Sequence, residues 1–247
     1  MTPFANGTAP VTVVMAAMDA EQFIADAIRS ALDQTLPPER VVVVDDGSSD
    51  GTADRAEAVD PRVTVLRRAH AGAGPSRNAG VAATDTELIA FLDADDLWRP
   101  RKLELQVAAL AAHPHLDAVF CLMDEFLDAA AEATGTRAPR TGVAVPLSGA
   151  TLVRRGLVER LGPFEDDPVG DWVRWWARAR AIDVEEHFVP EVLFLRRIHG
   201  RNNSATHADA HGEALLGIAR AHLRQRRAGA GDGGSAGGSD GAGAAPA

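Results

Sequence analysis

The sequence predicts an α/β fold in which helices cover both faces of a mostly parallel central β-sheet. Two observations lead to this prediction. Through the first half of the 247 residues, short apolar runs alternate with segments whose apolar residues recur at helical spacing. The apolar runs also lack the alternating polar residues of a strand with one face in water, so both faces of the sheet should be buried.

Four apolar runs predict strands, and three segments that follow them predict helices. The runs are residues 11–15, 41–44, 63–66 and 88–92. The helical segments are residues 23–32, 75–83 and 100–112. Asp19 and Gln22 form a capping-box pattern before the first helix, which predicts that Asp19 caps it.

The second half of the chain is less regular than the first. Residues 129–142 predict a loop, residues 150–153 and 192–198 predict strands, and residues 171–180 and 207–227 predict helices. Residues 228–247 are mostly Gly and Ala, a composition that cannot bury enough apolar surface to fold, so we expect a disordered tail. The remaining residues, 1–227, should form a single domain.

The composition narrows the class of protein. A formal net charge of −10 argues against a nucleic-acid binder, because neutralising phosphates requires clustered Lys and Arg. Cys121 is the one cysteine and lies in an apolar run, which indicates a buried thiol and suits a reducing cytoplasm. The sequence has neither a signal-peptide pattern nor an apolar stretch of about 20 residues. We therefore expect a cytoplasmic protein without a transmembrane segment.

Acidic residues follow two of the predicted strands. Asp45 and Asp46 follow residues 41–44, and Asp93, Asp95 and Asp96 follow residues 88–92. Ligands of parallel sheets bind beyond the carboxyl ends of the strands, where carboxylates can accept hydrogen bonds from a nucleoside or hold a divalent cation.

Each acidic group also has a structural interpretation. The first could be a turn followed by a helix cap at Asp50. That interpretation is weaker for the second group, because three acids within four residues repel one another unless a cation is near.

In these residues the chain resembles family 2 glycosyltransferases, which have the Rossmann-like GT-A fold. Five segments carry the resemblance, in this order: 11–32, 41–52, 74–80, 91–96 and 196–202. The resemblance implies that a sugar is transferred, with inversion, from a nucleoside-diphosphate-sugar donor to an acceptor hydroxyl, with the help of Mn²⁺ or Mg²⁺. It also divides the domain into a nucleotide-binding half, about residues 11–125, and an acceptor half, about residues 143–227.

The resemblance also implies roles for single residues. Asp45 or Asp46 would face the nucleotide base beside Ala16, and Arg77 would reach the nucleoside or the phosphates. The segment Asp93, Ala94 and Asp95 would bind the nucleotide sugar, with Asp93 near the ribose and Asp95 as a metal ligand. His199 would approach the metal or the diphosphate, although a surface histidine is the alternative.

The sequence departs from the family in two places. Members usually have Pro, an aromatic residue and Asn after the first strand, where this chain has residues 16–19 with the sequence AAMD. Near the predicted catalytic base, members often have adjacent acids, and this chain has only Asp171. Asp171 is therefore our candidate base; Asp166 or Asp167 could replace it, the base could be lost, or Asp171 could simply cap its helix.

Two other functions compete with sugar transfer. A nucleotidyltransferase also uses paired acids on a parallel sheet, but residues 11–32 lack the basic, Gly-rich loop that it needs. A catalytically degenerate relative would keep the fold and bind only a nucleotide or a partner. Neither the donor sugar nor the acceptor follows from the sequence, and a lipid acceptor would imply peripheral contact with a membrane.

Overall fold

The structure, a computed structural model, describes residues 9–133, 138–167 and 170–199. The predicted helix at 207–227, the predicted tail at 228–247 and the domain boundary at 227 lie outside the described residues. The strands are β1 (Ala9–Ala17), β2 (Pro38–Asp45), β3 (Val63–Arg67), β4 (Leu88–Phe91), β5 (Leu97–Trp98), β6 (Ala118–Leu127), β7 (Thr151–Arg154) and β8 (Glu186–Ile198). The helices are α1 (Ile24–Leu32), α2 (Thr52–Glu57), α3 (Ala73–Ala82), α4 (Lys102–Ala112), α5 (Ala129–Ala133), α6 (Arg155–Leu161) and α7 (Asp171–Ala181), with a 3-10 turn at Ser148–Ala150.

The eight strands form one sheet in the order β3-β2-β1-β4-β7-β6-β8-β5. The first four strands in this order are parallel to one another, as the apolar runs predict. Strand β7 is antiparallel to both of its neighbours, and β8 is parallel to β6. This mixed, largely parallel sheet confirms the predicted fold class.

Helices cover both faces of the sheet, as predicted. One core contains apolar side chains of α1 and α4, including Ile24, Ile28 and Leu103. The other core contains Leu157 of α6 and the tryptophans of α7. Trp175 is fully buried and stacks on Phe164, with ring centroids 4.8 Å apart, and Trp172 and Trp176 are also buried, so these tryptophans are core residues.

The capping prediction for Asp19 is wrong. Helix α1 begins at Ile24 without a side-chain cap, because a turn in which the Phe23 amide donates to the Ala20 carbonyl separates it from Asp19. Asp19 has a positive φ of 47°, and its carboxylate accepts hydrogen bonds from the amide of Ser49, at 2.8 Å, and from the Ser49 hydroxyl. Asp19 therefore joins the turn after β1 to the loop after β2.

Other differences lie in the second half of the chain. Helix α5 occupies the first residues of the predicted loop at 129–142, and an isolated bridge between Met123 and Val143 lies directly after that loop. Strands β5 and β6 and helix α6 were not predicted. Strand β5 has only two residues, too few for a periodic signal, and it forms by pairing with Phe194 and Leu195 of β8.

Lys102 is an ionisable group inside the larger core. Its side chain is fully buried, its Nζ donates to Gln106 Oε1 at 2.8 Å, and the same nitrogen lies 4.0 Å from the centroid of the Trp98 ring. Burial disfavours the charged form and lowers the pKa of Lys102 to about 8. The unfolded chain keeps a pKa near 10.5 and so binds more protons between these two values.

We predict that the free energy of unfolding of the parent protein rises with pH relative to that of Lys102→Met. The buried charge destabilises the fold fully below pH 8 and ceases to do so as pH rises toward 10.5. Urea titrations at pH 7 and pH 9.5 should show a relative gain of about 2 kcal/mol. Because the Lys102 charge lowers the pKa of Cys121, both proteins are compared in a Cys121→Ala background, which removes the titration of this thiol. If the difference in free energy of unfolding between the two proteins stays constant with pH, burial does not lower the pKa of Lys102.

Candidate active site

The carboxyl ends of β1, β2 and β4 meet at one edge of the sheet, where the first acidic group lies. Asp45 ends β2 and is aligned with Ala17 of β1, one residue after Ala16. The Asp45 side chain is buried, and its Oδ1 has no hydrogen-bond partner in the described part of the chain. An unpaired buried acceptor destabilises a fold by about 1–3 kcal/mol, so this oxygen is well suited to receive a donor from a ligand.

The neighbouring Asp46 is engaged by the protein. Its carboxylate accepts hydrogen bonds from His70 Nδ1 at 2.8 Å and from the amides of Ala71 and Gly72, both at 2.9 Å. Asp46 thereby shapes the loop that leads into α3. Of the two residues that the sequence left as alternatives for the base contact, only Asp45 keeps a buried oxygen available.

Asp93 follows β4 and is held from two sides. Its Oδ1 accepts from Arg77 Nη2 at 2.7 Å, and its Oδ2 accepts from the Ser148 hydroxyl at 3.2 Å. The side chain keeps 38% of its surface exposed, so a ligand can still reach it. Ala94, the next residue, is buried. Ser148 was not recognised in the sequence, because nothing local marks a serine whose partner lies 55 residues away.

Asp95 and His199, the two predicted metal ligands, lie side by side. His199 Nε2 donates to Asp95 Oδ2 at 2.8 Å, although 104 residues separate them. The antiparallel pairing of β5 with β8 brings them together, because Asp95 precedes β5 and His199 follows β8. The histidine is buried against the Phe23 ring, so it is not a surface residue.

The third acid of this group has a structural role. Asp96 is buried, and its Oδ1 accepts from the backbone amide of Arg197 at 2.8 Å. Burial raises the pKa of Asp96 well above its ordinary value, and repulsion from Asp95 and Asp93 adds to the effect. Asp96 therefore attaches the acidic loop to β8.

A cation also anchors this loop. Arg197 Nε donates to the backbone carbonyl of Asp95 at 2.9 Å. The guanidinium lies between two aromatic rings, 4.9 Å from the centroid of Phe23 and 4.7 Å from that of Phe126. Arg197 falls in the segment at 196–202 that carries the resemblance, but its packing between two rings could not be read from the sequence.

A divalent cation could be held here by few protein ligands. In the described ranges no group of three or more His, Cys, Asp or Glu side chains could hold a metal ion. Asp95 and His199 offer one carboxylate and one imidazole, so the other ligands would have to be phosphate oxygens and water. Mg²⁺ and similar ions commonly bind with one or two protein carboxylates and substrate phosphates, and the residues fit this pattern.

Asp171, the candidate base, lies at the same site. It is 8% exposed and begins α7, yet its carboxylate makes no capping hydrogen bond to that helix. Instead its Oδ2 accepts from Arg77 Nη1. The other arm of the Arg77 guanidinium donates to Asp93, so one cation bridges the two acids.

The two alternative bases are placed less favourably. Asp167 accepts from the Gly170 amide and from Arg174, so both of its oxygens are engaged at the start of α7. Asp166 is exposed on the loop before that helix. Asp171 is the one candidate of the three that is both buried and joined to the acidic residues after β4.

Among the described residues, no helix is long and apolar enough to cross a bilayer.

The chain matches the description "Glycosyl transferase family 2" over residues 12–161. An uncharacterized glycosyltransferase from Nostoc sp. is 30% identical over 231 residues, which are 82% of this chain and 69% of the relative. The Escherichia coli UDP-Glc:alpha-D-GlcNAc-diphosphoundecaprenol beta-1,3-glucosyltransferase WfgD is 37% identical over 102 residues, 40% of each chain.

Solved structures show a similar fold at low sequence identity. The Pyrobaculum calidifontis mannosyltransferase PcManGT, in complex with GDP-Man and Mn²⁺, has a TM-score of 0.68 and 21% identity, and the match covers 88% of this chain and 65% of PcManGT. Staphylococcus aureus TarS with UDP-GlcNAc has a TM-score of 0.65 and 19% identity, over 85% of this chain and 65% of TarS. The family match, the Nostoc relative and this GT-A-type fold lead to one conclusion: the chain belongs to glycosyltransferase family 2 and is a glycosyltransferase.

Proposed function

We propose that this glycosyltransferase moves a sugar from a nucleoside-diphosphate-sugar donor to an acceptor hydroxyl, with inversion and with a divalent cation. The observation that carries the proposal is the convergence of Asp45, Asp95, His199 and Asp171 on one edge of the sheet. These residues supply the three functions that the reaction needs: recognition of the nucleoside, stabilisation of the departing diphosphate, and removal of a proton from the acceptor.

The nucleoside contact falls to Asp45. Its unpaired Oδ1 would accept a hydrogen bond from a ring N–H, with Ala16 of β1 beside it. Uracil and guanine both carry such a ring N–H, so the contact suits a UDP-sugar or a GDP-sugar alike. The known ligands of TarS and PcManGT, UDP-GlcNAc and GDP-Man, are of these two kinds.

The diphosphate would lie near Asp95 and His199, with Asp93 turned toward the ribose. When bound there, a divalent cation supplies positive charge that stabilises the diphosphate as a leaving group. Carboxylates suit both Mg²⁺ and Mn²⁺, while an imidazole ligand is more typical of transition metals, so the pair favours Mn²⁺. PcManGT was solved with Mn²⁺, which is consistent with this choice.

Asp171 would accept the proton of the attacking hydroxyl. The adjacent guanidinium of Arg77 donates to Oδ2 of Asp171 and so orients the carboxylate that would take this proton. Attack at the anomeric carbon from the face opposite the diphosphate inverts its configuration. The acceptor is not identified. WfgD, by its name, transfers glucose to alpha-D-GlcNAc-diphosphoundecaprenol, a lipid-linked sugar, and an acceptor of that kind would require peripheral membrane contact.

We also propose that the protein works in the cytoplasm. With one cysteine the chain forms no internal disulfide, so its fold does not need an oxidising compartment.

The proposal is tested by mixing the protein with UDP-, GDP-, dTDP- and CDP-sugars, with and without Mn²⁺, and measuring release of the nucleoside diphosphate. Water can take the place of the unknown acceptor in this assay. If the nucleoside diphosphate is released from one of these donors only when Mn²⁺ is present, the result would support a metal-assisted transferase. Nucleotide binding without release, even when candidate acceptors are supplied, would favour a catalytically degenerate binding protein.

Asp45→Ala and Asp46→Ala should have opposite effects. Asp45→Ala should weaken nucleoside-diphosphate binding by roughly 10- to 100-fold, since one charged hydrogen bond is lost, and should leave the melting temperature unchanged or higher. Asp46→Ala should destabilise the fold by about 3 kcal/mol, because His70 and two amides lose their acceptor. Calorimetric titration and thermal unfolding check the pair; a reversed pattern would assign the base contact to Asp46.

Asp95→Ala should abolish the part of nucleotide affinity that depends on Mn²⁺ and leave the fold intact. The side chain is 26% exposed and contributes little packing, so losing its hydrogen bond to His199 should lower the melting temperature without unfolding the protein. Thermal shifts with nucleoside diphosphate, measured with and without Mn²⁺, report the change. If the variant binds nucleotide and Mn²⁺ as tightly as the parent, Asp95 is not a metal ligand.

Asp171→Asn should lower donor turnover by a factor on the order of 10²–10⁴, because a proton acceptor is lost, with donor binding retained. Asn is nearly isosteric and can still accept from Arg77, so the structure around it should persist. Steady-state release of the nucleoside diphosphate gives kcat and the donor KM. Turnover close to that of the parent would turn attention to Asp166 and Asp167.

A further inference from the structure

We propose that Arg77 is a positioning residue that holds Asp171 against the donor site, and that it does not itself contact the nucleotide. The inference rests on the proposed function, in which Asp171 is the base. It assigns Arg77 a role different from the nucleoside or phosphate contact that the resemblance implies.

The burial of Arg77 argues against a phosphate contact. Only 6% of the residue is exposed, and one arm of the guanidinium donates to Asp93 while the other donates to Asp171. A planar guanidinium has a fixed fork of donors, so binding two carboxylates at once also fixes their separation. Removing this cation would leave two carboxylates close together without a counter-ion.

Helix α3 makes two further contacts with the segment that leads to Asp171. Asn78 Nδ2 donates to the Phe164 carbonyl, and the Phe164 amide donates to Asn78 Oδ1, both at 2.8 Å. A Cβ atom at Gly74 would lie 2.0 Å from the Glu165 carbonyl oxygen, so this helix needs a glycine to approach so closely. Positions 74, 77 and 78 face the same side of a helix, which lets them contact one segment together.

These contacts connect the two halves of the site. Asp93 belongs to the loop after β4, and Ser148 holds its second oxygen at 3.2 Å. Asp171 belongs to α7, which comes later in the chain. Arg77 is the residue that joins them, so the distance between the donor-binding acid and the base depends on one side chain. Without it, the Asp171 carboxylate would lose the hydrogen bond that orients it toward the loop after β4.

A double-mutant cycle tests the inference, with Arg77→Met, Asp171→Asn and the double variant. The probe is the donor that the parent hydrolyses, with water as the acceptor. We expect Arg77→Met to lower kcat by about 10²-fold, the range for loss of a general base, and to change the donor KM by less than about threefold. In the Asp171→Asn background, Arg77→Met should lower kcat by less than about threefold, because its effect passes through Asp171.

Two variants guard against misinterpretation. Arg77→Lys keeps a buried charge without the fork, so it should fold and should still lose at least about tenfold in kcat with the donor KM preserved. Arg160→Met is the control, at an ion pair that is more exposed than that of Arg77. Arg160 pairs with Asp117 at 2.8 Å, and Asp117 directly precedes β6, at the end of the strands opposite to the site. This control should leave kcat and KM unchanged.

Three outcomes would overturn the inference. The first is a loss of nucleoside-diphosphate affinity of about tenfold or more in Arg77→Lys or Arg77→Met, which would make Arg77 a ligand contact. The second is an undiminished effect of Arg77→Met in the Asp171→Asn background. Both leave the proposed function standing if the parent hydrolyses its donor. The third is a parent that neither binds nor hydrolyses any donor, which would remove the proposed function and this inference together.

Discussion

The buried guanidinium of Arg77 is the interaction on which the arrangement of the site depends. It places one cation between Asp93 and Asp171, two carboxylates that would otherwise repel each other. Asp93 is fixed by its position after a central parallel strand, whereas Asp171 begins α7, which comes later in the chain. One buried guanidinium, paired with two acids, thus holds the loop after β4 next to the start of α7.

The other half of the site is organised by the short pairing of β5 with β8. Strand β5 begins directly after the acidic loop, so its pairing with β8 places His199 beside Asp95. Two hydrogen bonds attach the same loop to β8: the Arg197 amide donates to buried Asp96, and the Arg197 guanidinium donates to the Asp95 carbonyl. Of the three acids after β4, Asp96 therefore supports the backbone that carries the other two.

The sequence predicted the parts that depend on local pattern. The apolar runs located β1 to β4, and the acids after β2 and β4 had to meet at one edge because parallel strands place their carboxyl ends together. It could not predict contacts that join distant segments: Asp19 with Ser49, Asn78 with Phe164, or Ser148 with Asp93. The choice between Asp45 and Asp46 likewise depended on the loop at 70–72, whose amides occupy one carboxylate and leave the other open.

A crystal structure with a bound nucleoside diphosphate and Mn²⁺, recorded at the manganese absorption edge, tests the central claim most directly. The account predicts one anomalous peak within bonding distance of Asp95 and His199, a base N–H facing Asp45 Oδ1, and Arg77 still bridging Asp93 and Asp171. A peak elsewhere, or an Arg77 guanidinium that has left Asp171 to bind the phosphates, would contradict it.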